Sequence, residues 1–112
     1  MVSDDIYRQL AKLGKSLRTR TNQFDPARPT RWAPYEVLTP DAGEPFTNDG
    51  AWAFIVSLLE AREPIETIVL DKPPGKTGYV IIVDGWSGSK IYIKLQLGSG
   101  IVIGRSFHNS NR

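Results

Sequence analysis

Eight residues constrain the architecture more than any others. In 90–97 the odd positions, Ile91, Ile93, Leu95 and Leu97, are aliphatic, while the even ones are Lys90, Tyr92, Lys94 and Gln96. Strand side chains alternate faces with period two, so this stretch reads as a strand with one core face and one basic, aromatic and amide face. Gly98, Ser99 and Gly100 then make a turn, and 101–108 reads as the hairpin partner. A three-residue loop sets Leu97 opposite Ile101, Lys94 opposite Gly104, Tyr92 opposite Ser106 and Lys90 opposite His108. Ile101, Ile103 and Phe107 are then expected in the core. Lys90, Tyr92, Lys94, Gln96, Ser106 and His108 form one exposed patch, with Gly104 leaving room in its middle for a ligand backbone. Arg105 has core parity, where an unpaired charge is costly. Either a bulge returns it to the polar face or it sits beyond the covering helices.

The rest of the chain supplies cover for that hairpin. Ile6, Leu10, Leu13 and Leu17 recur at helical spacing behind the candidate caps Ser3 and Asp4. Residues 22–47 contain Pro26, Pro29, Pro34, Pro40 and Pro45, too many for a helix or a central strand. Trp32, Tyr35, Val37 and Leu38 suggest that this segment packs across the body. Asn48, Asp49 and Gly50 start a second helix over 51–61, and Pro64 stops it. Its Trp52, Ile55, Val56, Leu58 and Leu59 read as core, with Trp52 assigned to packing. Residues 65–70 and 79–83 read as strands, 72–76 and 84–89 as connections, and 109–112 as a frayed tail. The expected architecture is α+β over a single domain, 1–112. An N-terminal helix and Pro-rich segment fill 1–47. In 48–112 a helix and sheet follow, with the two helices on one face of a small twisted antiparallel sheet of three to four strands.

Composition narrows the function classes. The chain has 112 residues and no cysteine, so disulfide frameworks and thiolate metal sites are excluded. His108 is the only histidine. No apolar run approaches the roughly 18 residues of a membrane-spanning helix. Residues 1–5 do not read as a secretory leader, and a cytoplasmic location is expected.

Charge is uneven. Residues 1–31 carry a net +4, residues 32–71 a net −7, and residues 72–112 a net +5 with no acidic residue after Asp84. A basic end without carboxylates favours a polyanion over a metal ion. The patch lacks the oxygen ligands that Mg2+ needs, so no metal and no cofactor are expected. Metal-free cleavage of RNA suits it. The ribose 2′-OH attacks the adjacent phosphorus, and the protein positions the phosphate, neutralises its charge and moves two protons. Lys94, Lys90 and Arg105 are candidates for the phosphate. His108 is the candidate acid or base, since an imidazole titrates at about 6.5. Tyr92 is placed to orient the 2′-OH or shuttle a proton.

The run Ile91-Tyr92-Ile93-Lys94, a short aliphatic hairpin and then Ser106-Phe107-His108 resembles the end of RelE/MqsR-like toxins, over about residues 78–108. That resemblance implies a small metal-independent endoribonuclease, an mRNA interferase of a bacterial toxin–antitoxin system, with a RelE-like sheet. It implies Tyr92, His108 and Lys94 as catalytic residues. Lys90, Arg105, Ser106, Gln96 and Lys76 are then RNA-binding, and Lys76 or Tyr79 supplies a further upstream group. The implied partners are mRNA, free or on the ribosome, and a cognate antitoxin, with no membrane. Two other readings use the same surface: a non-catalytic RNA- or protein-binding module, and a nuclease domain of a secreted or contact-dependent toxin.

Overall fold

The computed structural model describes residues 2–22, 31–70 and 75–110. Pro26 and Pro29, residues 72–74 of the expected connection, and residues 111–112 of the expected tail lie outside the described residues. Among the described residues the fold comprises two α-helices, two single-turn 3-10 helices and a six-stranded mixed sheet. Helix α1 is Asp4–Gly14. Its cap is Ser3, whose Oγ accepts from the Ile6 N–H at 3.4 Å, and Asp4 and Asp5 in the first turn suit the helix dipole. The helix stops three residues short of Leu17, which is 76% exposed and takes no part in the core. Tyr7, Leu10, Ala11 and Gly14 form the buried stripe instead. A Cβ on Gly14 would meet Val56 at 3.1 Å, so the glycine lets the two helices approach.

Helix α2 is Asn48–Glu60, capped by Thr47, whose Oγ1 accepts from the Gly50 N–H at 2.9 Å. Ala51, Trp52, Ile55, Val56 and Leu59 face inward, and Trp52 is a packing residue as its sequence context suggests.

The strands are β1 (Arg20–Thr21), β2 (Arg31–Trp32), β3 (Glu66–Val69), β4 (Thr77–Asp84), β5 (Lys90–Leu97) and β6 (Val102–Ser110). β3 to β6 form an antiparallel meander. β1 and β2 both lie parallel to β6 along its other edge, with Arg20 beside Val102 and Arg31 beside Ser106. These two short strands correct the expected three- to four-stranded antiparallel sheet. Their pairing is wholly long-range, so no local periodicity announces it. Asn109 and Ser110 also belong to β6, not to a frayed tail.

The helices cover the face bearing Ile81, Ile91, Ile93, Leu95, Val102 and Phe107, which join the helix side chains in one core. Complete burial of such side chains stabilises by about 1.5–3 kcal/mol each. Val37 and Phe46 bring the Pro-rich segment into this core, whereas Tyr35 and Leu38 are exposed. Trp32 is wedged in too, with ring centroids 5.1 Å from Trp52 and 5.6 Å from Phe107. Its Nε1 donates to Asn48 Oδ1 at 2.8 Å.

The hairpin register differs from the one the sequence suggests. Leu97 pairs with Val102, which makes the loop four residues long, and a bulge between Lys94 and Leu95 leaves Arg105 as the extra residue on β6. Each one-residue slip reverses the faces. Val102 and Gly104 therefore turn to the core, and Ile103 lies opposite Gln96. The second slip restores parity beyond the bulge, where Lys94 pairs with Ser106, Tyr92 with His108 and Lys90 with Ser110. Gly104 thus leaves no room for a ligand, because a Cβ there would meet the Trp32 ring at 2.5 Å.

Candidate functional site

The sheet face opposite the helices carries the polar positions of β5 and β6. Tyr92 and His108 sit directly across the ladder, their rings stacked with centroids 5.1 Å apart and planes 19° from parallel. One row along, Lys94 faces Ser106, and on the far side of Ser106 the register places Arg31 of β2. Arg31, Tyr92, Lys94, Ser106, His108, Asn109 and Ser110 line a cleft of about 330 Å³. Ser106 forms its floor, at 3% exposed. Tyr92, Lys94 and His108 are half-buried, while Arg31 and Asn109 are exposed.

Two cations and an imidazole share this lining with hydroxyls and an amide, and among the described residues that line it none is a carboxylate. Among the described residues no three His, Asp or Glu side chains gather into a metal-binding group. The arrangement suits an anion of phosphate size, with the cations of one row beside the stacked Tyr92–His108 pair of the next. His108 Nδ1 lies 2.8 Å from the Asn109 carbonyl oxygen, which only accepts. The proton of a neutral ring therefore belongs on Nδ1, and Nε2 is the acceptor. Asn109 is itself tied to the segment before α2 by its Nδ2, which donates to the Glu36 carbonyl at 3.4 Å.

The structure thus brings Tyr92, Lys94, Ser106 and His108 together. It separates the other candidates from the cleft. Lys90 Nζ is 2.6 Å from Asp84 Oδ1, and this hydrogen bond, followed by the charge of Lys90, holds the Asp84 carboxyl below its ordinary 3.8. Gln96 and Arg105 are buried at 6% and 8% exposed, with Arg105 Nη1 donating to Gln96 Oε1 at 2.7 Å. The bulge places Arg105 beside Gln96 rather than in the core, which resolves its awkward parity, and burial removes both from the surface. Lys76 is exposed near the β3–β4 turn, level with Gly98 by continuation of the register. That is six residues along the sheet from Tyr92, roughly 20 Å at 3.3 Å per residue. Tyr79 pairs with Leu95 and so points to the core face.

Three lining residues have no place in the sequence reading. Asn109 and Ser110 fall in the expected tail, and Arg31 in the Pro-rich segment. The available signal for Arg31 was the pair Arg31-Trp32, one polar and one aromatic residue, flanked by Pro29 and Pro34. Prolines of that spacing are compatible with a short edge strand.

No helix among the described residues is long and apolar enough to cross a membrane. Compared with protein families, curated proteins and solved structures, the chain matches none.

Proposed function

We propose that this chain is a metal-independent endoribonuclease that cleaves mRNA through attack of the ribose 2′-OH. The observation that carries the reading is the stacked Tyr92–His108 pair beside Lys94, in a cleft whose described lining holds cations and hydroxyls and no carboxylate. Lys94 neutralises the phosphate as charge grows on it in the transition state. His108, with Nε2 as its acceptor, takes the 2′-OH proton. Tyr92, against the imidazole, donates to the leaving 5′-oxygen or holds the 2′-OH in line. Ser106 supplies a hydroxyl at the floor.

The RelE/MqsR-like assignment and a RelE-like sheet are part of this proposal. They are supported by helices packed on one face of an antiparallel meander, and by Tyr92 and His108 sharing the open face of its last two strands. A cytoplasmic toxin restrained by an antitoxin is the biological setting this reading implies. An antitoxin complementary to the cleft would present carboxylates to Arg31 and Lys94.

The test is incubation of the full chain with a long unstructured RNA in EDTA, beside His108→Ala and Tyr92→Phe. Wild type cuts, and His108→Ala loses about 10²–10⁴-fold in rate, the usual share of a general acid or base. Binding without cutting by wild type would refute catalysis on free RNA and favour the RNA-binding module.

A further inference from the structure

We infer that Arg31, carried by the edge strand β2, grips the phosphate of a single-stranded nucleic acid from the side of the cleft opposite Lys94. This inference rests on the nuclease reading for its catalytic consequence, but the binding it describes is measurable without cleavage.

Of the described arginines, only Arg18 and Arg31 have side chains without a hydrogen bond or ion pair, and of these two only Arg31 lines the cleft. Arg8 is bonded to Asp4 and Asp5, Arg20 to the Gly14 carbonyl and Asp49, Arg62 to Asp4 and the Leu59 carbonyl, and Arg105 to Gln96. Each of these serves the fold. Arg31 lines the cleft, is exposed, and has no hydrogen bond or ion pair among the described residues.

Its backbone, by contrast, is firmly held. Arg31 pairs with Ser106 and Trp32 with Phe107, and the Ala33 N–H donates to the Phe107 carbonyl at 2.9 Å. The neighbouring Trp32 is locked between Trp52 and Phe107, bonded to Asn48, and seated over Gly104. A two-residue strand is thus anchored by a tryptophan on the core face while it presents an arginine on the open face.

Geometry sets what that arginine reaches. Arg31, Ser106 and Lys94 occupy one row across three strands. Neighbouring strands lie about 4.8 Å apart, so the backbones of the two cationic residues are separated by roughly 10 Å with buried Ser106 between them. Both side chains are long enough to close on a phosphate over Ser106. The arginine fork offers paired donors to two phosphate oxygens, while the lysine offers a point charge. His108 and Tyr92 lie in the adjacent row, next to the sugar of the nucleotide so held. β2 therefore completes a site that β5 and β6 only half build.

The experiment pairs two readouts on wild type, Arg31→Ala and Arg31→Lys. One is single-turnover cleavage of the unstructured RNA in EDTA. The other is binding of an uncleavable 2′-deoxy oligonucleotide of the same sequence across a salt series. Arg31→Ala should lower cleavage roughly 10–100-fold, the loss expected for one charge-assisted donor. It should also flatten the slope of log K against log salt by about 0.7, one phosphate contact on a single strand. Arg31→Lys should restore the slope and only part of the rate. Cleavage and salt slope both unchanged in Arg31→Ala would overturn the inference while leaving the nuclease reading intact. If wild type binds but does not cut, the nuclease reading fails and the salt slope alone decides for or against Arg31. Absence of any binding overturns the inference outright.

Discussion

A methyl group added at Gly104 would lie 2.5 Å from Cζ3, 2.8 Å from Cε3 and 2.9 Å from Cη2 of Trp32. Carbon atoms in good contact are about 3.5–4.0 Å apart, so the indole would have to retreat by roughly 1 Å. It has nowhere to go, being packed on Trp52 and Phe107 and bonded through Nε1 to Asn48. Overpacking of this kind costs about 1–3 kcal/mol. Restricting the unfolded chain by Gly→Ala returns up to about 1 kcal/mol. Gly104→Ala is therefore predicted to destabilise by about 1–2 kcal/mol. In urea, followed by tryptophan fluorescence and far-UV circular dichroism, the midpoint should fall by roughly 1 M with an unchanged slope. Trp32→Leu removes the obstruction, so Gly104→Ala in that background should cost nothing, a coupling of about 1–2 kcal/mol. Full stability of the single Gly104→Ala variant would refute the packing described here. So would an equal loss in both backgrounds.

Three further outcomes follow from the same geometry. Gln96→Leu withdraws the acceptor from the buried Arg105 Nη1 and should cost about 1.5–3 kcal/mol in urea unfolding. Thr47→Ala removes the cap of α2 and should cost about 1 kcal/mol, measured in the same way. The carboxyls of Asp4 and Asp84 are both held below their ordinary 3.8, by the hydrogen bonds from Arg62 and Lys90 first and by charge second. Their contribution is therefore fully present above the unfolded value and is lost as pH falls through the depressed folded values. The double variant Asp4→Asn/Asp84→Asn should flatten that acid limb of the stability curve, and an unchanged limb would show that other groups govern it.

The sequence makes the open face of the hairpin legible for a reason that the structure explains. Lys94, Tyr92, Ser106 and His108 share a face because the longer loop and the bulge each slip the register by one residue, and two slips restore parity. Between the slips the expectation fails, so Val102 and Gly104 replace Ile101 and Ile103 on the core face. A bulge leaves no periodic mark, because it answers a tertiary demand. Here that demand is space for Trp32, which lies more than seventy positions away in sequence. Helix α2 is legible because its apolar face is continuous and capped. The stripe of α1 is misjudged at Leu17, where the helix has already ended, and in its centre, which runs through Tyr7, Leu10, Ala11 and Gly14 with Ile6 and Leu13 only partly buried beside it. Lys90, Arg105 and Gln96 have the residue types that bind RNA, but residue type does not reveal that Asp84 occupies the first or that the other two bind each other. Arg31 is illegible for the opposite reason. Its role depends on a parallel pairing with β6, and nothing within the Pro-rich segment encodes that register locally.

The most direct test of the central claim is the chemistry of the cut ends. The full chain is incubated in EDTA with an unstructured RNA and with its fully 2′-O-methylated counterpart, and the products are identified by mass spectrometry. Attack by the ribose 2′-OH predicts fragments ending in a 2′,3′-cyclic phosphate with 5′-hydroxyl partners, and an untouched methylated strand. Products bearing 5′-phosphates, cleavage of the methylated strand, or intact RNA of both kinds would contradict it.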